Sequence, residues 1–165
     1  FFNTTIFEDW TTLSDDGNHP NGAGYDAIAT IWYQKITGSP TPTTPTVIKA
    51  NSQGGSITVS SGTPVSITIS LEPDNLSGQD ADWWVVELAP SGAINYFDLS
   101  TVSMVPGLLP TYQGPLFGFG NAQLLNSSDL SAGTHIFCFG VDLNMDGSLN
   151  TDSLYYDCVT VSVTE

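Results

Sequence analysis

Positive charge is almost missing from this sequence. Lys35 and Lys49 are its only Lys or Arg residues, they face 17 acidic residues, and the formal net charge is −15. Without clustered Lys or Arg to neutralise phosphates, nucleic acid and anionic membrane are poor partners. Divalent cations suit such a chain better. It also lacks any apolar run near the ~20 residues a membrane helix needs, so no membrane span is expected. The first residue is Phe1, not Met, and the expectation is that something upstream has been removed or omitted. What is abundant is Ser, Thr, Gly and Asn; together with the single bridge expected from two cysteines, this composition points to a secreted or cell-surface protein.

The most informative stretch is Thr134 to Val163. Phe137, Phe139 and Val141 alternate with Ile136, Cys138 and Gly140, and Val159, Val161 and Val163 alternate with Cys158, Thr160 and Ser162. This period of two marks two half-buried antiparallel strands, with both cysteines facing away from the aromatic and valine row. Pairing Cys138 opposite Cys158 also sets Phe137 opposite Val159, so one register serves both the hydrophobic pattern and a cross-strand disulfide. Such a bridge closes a loop of roughly 20 residues and stabilises the fold by about 3 kcal/mol on the chain-entropy model.

Between these strands runs Asp142-Leu-Asn144-Met-Asp146-Gly147-Ser148-Leu-Asn150-Thr-Asp152. Oxygen-bearing side chains at positions 1, 3 and 5, followed by glycine, are what a calcium loop requires, because alternate residues converge while glycine allows the sharp turn. An EF-hand would place a bidentate Glu at position 12, where Ser153 stands. The loop instead resembles the shorter, dockerin-like calcium loops of secreted proteins. On that resemblance Asp142, Asn144, Asp146, Ser148, Asn150 and Asp152 are the candidate Ca2+ ligands. The competing reading is that Asp, Asn and Gly simply form the turns of a long hairpin connection.

Near the other end, Asp16-Gly-Asn-His19-Pro20-Asn21-Gly22-Ala-Gly24-Tyr25 precedes apolar residues at helical spacing, Tyr25, Ile28, Ala29, Trp32 and Ile36, with Asn21 as N-cap and Gly38 as stop. An Asp three residues before a His can fix the imidazole tautomer and leave the other nitrogen free as a general base. The whole string resembles the final block of the SGNH, or GDSL-type, esterases and lipases. That resemblance covers residues 1–36 and makes Asp16 and His19 the acid and base of a Ser-His-Asp triad. The family's Gly-Asp-Ser-Leu nucleophile block and Gly-x-Asn-Asp oxyanion block do not occur here. A base without its nucleophile performs no acyl transfer, so the segment reads as a remnant that is inactive alone.

Residues 37–46, rich in Pro and Thr, read as an extended linker. Residues 47–165 read as a β-sandwich of seven or eight short antiparallel strands. Val65, Ile67, Ile69 and Leu71 alternate with polar residues, as do Ile57 and Val59 before the turn at Ser61–Pro64. In Trp83-Trp84-Val85-Val86-Glu87-Leu88 the set Trp84, Val86 and Leu88 suits the core, which turns Trp83 outward. Pro106 to Gly120 is expected to be a long loop over the core edge. Leu130-Ser-Ala-Gly-Thr-His135 resembles the corner of immunoglobulin-like and fibronectin-like domains, with His135 in the usual place of a Tyr. The fold class expected is therefore mainly β: an immunoglobulin-like sandwich preceded by a short strand and one amphipathic helix.

Three functions follow as expectations. The first is a non-catalytic structural module for attachment or self-assembly, in which an N-terminal strand (Phe1–Phe7) donated to another copy would build a polymer. The second is the C-terminal part of a secreted esterase, active only with its missing half. The third is carbohydrate binding through Trp83 and the loop carrying Tyr112.

Overall fold

The computed structural model describes residues 45–165. Chain contacts divide the protein into units at Phe1–Thr43 and Thr44–Glu165. The expectations placed on residues 1–44, including Asp16, His19, the helix and most of the linker, lie outside the described residues.

The second unit is mainly β, with ten strands: β1 Thr46–Ala50, β2 Gly55–Ser60, β3 Val65–Leu71, β4 Asp80–Leu88, β5 Ile94–Asp98, β6 Ser103–Pro106, β7 Tyr112–Pro115, β8 Phe119–Ser127, β9 Gly133–Asp142 and β10 Leu154–Thr164. They form a three-stranded sheet, β1-β3-β8, and a seven-stranded one, β2-β10-β9-β4-β5-β6 with β7 also on β4. A single core joins them. Ile48, Val65, Ile67, Ile69 and Leu71 of the small sheet cluster with Trp83, Val85, Phe137, Phe139, Val141, Val159, Val161 and Val163 of the large one. Burying that apolar area is what holds two such sheets face to face.

The β9–β10 pairing has the register read from the sequence. Cys158 pairs with Cys138 and Val159 with Phe137, and the two cysteines form a disulfide with a Cα–Cα distance of 4.1 Å. That separation suits a non-hydrogen-bonded antiparallel pair, where side chains stand closest. A disulfide of this kind belongs to an oxidising, non-cytosolic compartment.

Three sequence expectations are corrected. Thr46 is not linker: it is buried within β1, and the Pro45 carbonyl accepts the Glu72 N–H at 2.8 Å. β2, expected to be antiparallel like the other strands, does not pair with β3 across the Ser61–Pro64 turn. It runs parallel to β10 in the opposite sheet, because the chain changes sheets at Asn51–Ser52, both with left-handed backbone, where Asn51 Oδ1 accepts the Ser66 N–H at 2.8 Å.

The third correction concerns β4. Trp83 pairs with Val141, Val85 with Phe139 and Glu87 with Phe137, so the odd residues face the core. Val86 is only half-buried and Leu88 is 41% exposed. A strand shifted by one residue flips every side chain, and here a buried Glu is tolerated because it finds a partner. Glu87 Oε1 meets His135 Nδ1 at 2.7 Å, Glu87 Oε2 accepts the Asn95 amide at 2.8 Å, and His135 Nε2 donates to the Ser131 carbonyl at 2.9 Å. Each ring nitrogen of His135 therefore has an oxygen partner, so neither is left unsatisfied in the core.

Candidate functional site

The two sides of the sandwich differ. On one, Asp157 of β10 reaches across and its Oδ2 accepts the Ile48 N–H of β1 at 3.0 Å, closing the seam between sheets. On the other, among the described residues β8 pairs only with β3, and beside it a cleft of about 430 Å3 opens between the sheets. Its lining is drawn from β3 (Ile69), β4 (Trp83, Val85), β8 (Phe119, Ala122) and β9 (Phe139), with Leu99, Thr111, Tyr112 and Phe117 around the mouth.

Trp83 is the floor of this cleft. It is 6% exposed and lies nearly parallel to Phe119 at 6.0 Å between ring centroids. Phe117 tilts against it at 5.0 Å and Tyr112 meets it edge-on at 5.6 Å, all within the range of favourable aromatic contact. Its indole N–H donates to the Gly114 carbonyl at 3.2 Å. A Cβ on Gly114 would collide with the Tyr112 phenol, so glycine there lets Tyr112 fold back over its own strand. The Thr111 N–H donates to the Trp83 carbonyl at 2.7 Å and the Thr111 hydroxyl accepts the Val85 N–H at 3.2 Å. These two bonds bridge the gap on β4 between its partners β7 and β5.

Trp83 and Tyr112 therefore lie together, but the outward Trp83 platform expected from the sequence is not there. The outward Trp is Trp84, directly across from Gly140 and itself 3% exposed. The Pro106–Gly120 stretch proves to hold β7 and the start of β8. Phe117 and Leu99 are 53% and 54% exposed at the mouth. The neighbour of Leu99 in sequence, Asp98, has its carboxyl held below the usual carboxylate range by the Ser100 hydroxyl and N–H.

The acidic loop lies at the end of β9. Asp142 is fully buried; Oδ1 accepts the Asn144 N–H at 3.0 Å and the Ser153 hydroxyl, and Oδ2 accepts the Asn150 N–H at 2.6 Å. Burial pushes its carboxyl upward, but the Ser153 hydroxyl and the Asn144 and Asn150 N–H donors outweigh it and leave it below the ordinary value of 3.8. Asp82, which the sequence reading did not single out, pairs with Asp142 across the sheet. Its Oδ2 accepts the Gly147 N–H at 2.6 Å and its Oδ1 the Gln113 amide at 2.7 Å. Gly147 has the left-handed φ of 78° its place in the turn demands.

At the loop's tip, Asp146 accepts the Ser148 N–H at 2.8 Å and the amides of Asn144 at 3.1 Å and Asn150 at 3.2 Å. The Ser148 carbonyl accepts the Asn150 amide at 3.0 Å. Asp152 sits in a short 3-10 turn, Thr151–Ser153. The six candidate ligands thus share one loop, yet among the described residues no three His, Cys, Asp or Glu side chains converge as a metal set.

No family model, no curated protein and no solved structure matches this chain.

Proposed function

We propose that residues 45–165 form an immunoglobulin-like, secreted or cell-surface module that works by attachment, holding a partner at the open side of the sandwich. The observation that carries this reading is the aromatic cleft beside β8. It falls in the size range of natural binding sites and exposes Leu99 and Phe117 where a closed sandwich would cover them. The strand orders support the immunoglobulin comparison, since β1-β3-β8 and β10-β9-β4-β5-β6 follow the A-B-E and G-F-C-C′-C″ orders of a variable-type domain.

The test is uptake of a neutral apolar dye, Nile red, by the purified chain. Saturable fluorescence enhancement that is lost on Ala122→Phe, which fills the cleft from an exposed strand position, supports the reading; no enhancement overturns it.

Two specific observations favour further readings. Asn144 and Asn150 each present a carboxamide to Asp146, and rotating both would set two carbonyl oxygens beside that carboxylate, the oxygen-only chemistry Ca2+ prefers. A calcium-stabilised loop is proposed on that ground. The Asp16–Tyr25 string supports origin in a secreted SGNH-type esterase, with its nucleophile on a part of the protein not in this sequence. Hydrolysis of p-nitrophenyl acetate by this chain, abolished by His19→Ala, would overturn the remnant reading.

A further inference from the structure

We propose that the edge of β8 left unpaired among the described residues, with the adjoining cleft, accepts one extended strand of a partner polypeptide, whose inward side chains are alternately apolar and whose flanks carry Lys or Arg. The inference rests on the attachment reading and gives the partner its chemistry.

Topology supplies the first argument. In the A-B-E-D order of immunoglobulin sheets a fourth strand stands beside the third, whereas here β8 ends the sheet among the described residues. A strand edge left open in this way offers N–H and C=O groups to any chain that can pair with it.

Side-chain direction supplies the second. Ile67, Ile69 and Leu71 face the core, so their partners Leu125, Ala122 and Phe119 share that face. A strand added roughly 4.8 Å beyond β8 would send every second side chain past Ala122 toward Trp83, Val85 and Phe139, and those residues line the cleft. The cleft holds about 430 Å3, nearly three times the roughly 150 Å3 that takes one benzene. Two apolar side chains, at i and i+2, fit that volume.

The polar groups decide against a small polar ligand. The Trp83 indole N–H and the Thr111 hydroxyl are already engaged within the domain, so hydrogen bonding comes chiefly from the β8 backbone, which a polypeptide can match in register. Charge decides the flanks. Five of the 17 acidic residues precede residue 45, so the other twelve belong to residues 45–165, where Lys49 is the only Lys or Arg. A second copy of the chain would bring like charge to this edge, whereas a basic partner is steered toward it.

The experiment is isothermal titration of the whole chain with a twelve-residue peptide alternating Val or Phe with Thr, with two Lys at each end. Saturable one-to-one binding is expected, weakened at least tenfold between 50 and 500 mM salt and at least tenfold by either Ala122→Phe or Phe117→Ser, with far-ultraviolet circular dichroism unchanged. Equal affinity for the same residues in scrambled order overturns strand pairing. Equal affinity for a Glu-flanked version overturns the basic partner, and preference for a Phe1–Phe7 peptide overturns it in favour of a second copy. If no peptide binds while Nile red still fills the cleft, the strand inference falls and the attachment reading stands. If neither binds, both fall.

Discussion

Asp82 stands directly across the sheet from Asp142, both fully buried, and between them the two carboxylates gather the N–H groups of Asn144, Gly147 and Asn150. Two like charges set opposite each other are unfavourable by themselves. The backbone donors offset that cost, so the acids fasten the β9–β10 loop to β4.

Asp142→Ala should therefore leave buried donors without acceptors and cost on the order of 3 kcal/mol, measured by urea unfolding. The pH dependence has a definite sign. The folded-state carboxyl of Asp142 lies below its unfolded value of about 3.8, so its contribution is fully present well above pH 4 and is lost as pH falls through the lower folded value. The acid-side fall in stability should shrink in the Asp142→Asn chain.

Removing His135 should be as costly. His135→Ala strands the Glu87 carboxylate in the core, a loss of about 3–5 kcal/mol for breaking a buried pair. Glu87→Gln, which removes the charge and keeps an acceptor, should cost less, and a double-mutant cycle in urea would measure the coupling.

Reduction of the Cys138–Cys158 bridge, or its replacement by alanines, should lower stability by about 3 kcal/mol without changing the far-ultraviolet spectrum. A loss under ~0.5 kcal/mol would mean that the strand register stands without the bond.

For the loop, millimolar Ca2+ should raise the melting temperature, and EDTA should return it to the metal-free value. Asn150→Ala should abolish the rise. Equal melting temperatures in Ca2+ and EDTA would leave the loop held by its own N–H donors alone.

Much of the fold was legible where local alternation and burial agree. The β9–β10 register follows from Phe137, Phe139 and Val141 against Val159, Val161 and Val163, and β3 shows its inward row plainly. β4 misleads because its outward row, Trp84, Val86 and Leu88, looks more apolar than an inward row containing Glu87. Only the long-range meeting with His135, 48 residues away in sequence, reverses that judgement. β8 escapes notice because bulges at Ile67/Thr68 and Ile69/Leu71 in its pairing break the period of two. The cleft could not be seen in advance, since it needs Trp83 inward and β8 beside it. Asp82 carried one faint signal, a carboxylate directly preceding the apolar run Trp83–Val86.

The bridge between Cys138 and Cys158 also fixes how the domain meets a pulling force. Tension applied between Pro45 and Glu165 can peel the short tail after Cys158, but the roughly 20 residues enclosed by the covalent ring never add to the stretched length. Under load the stretches before Cys138 and after Cys158 can lengthen, while the acidic loop enclosed between them stays shielded from the strain.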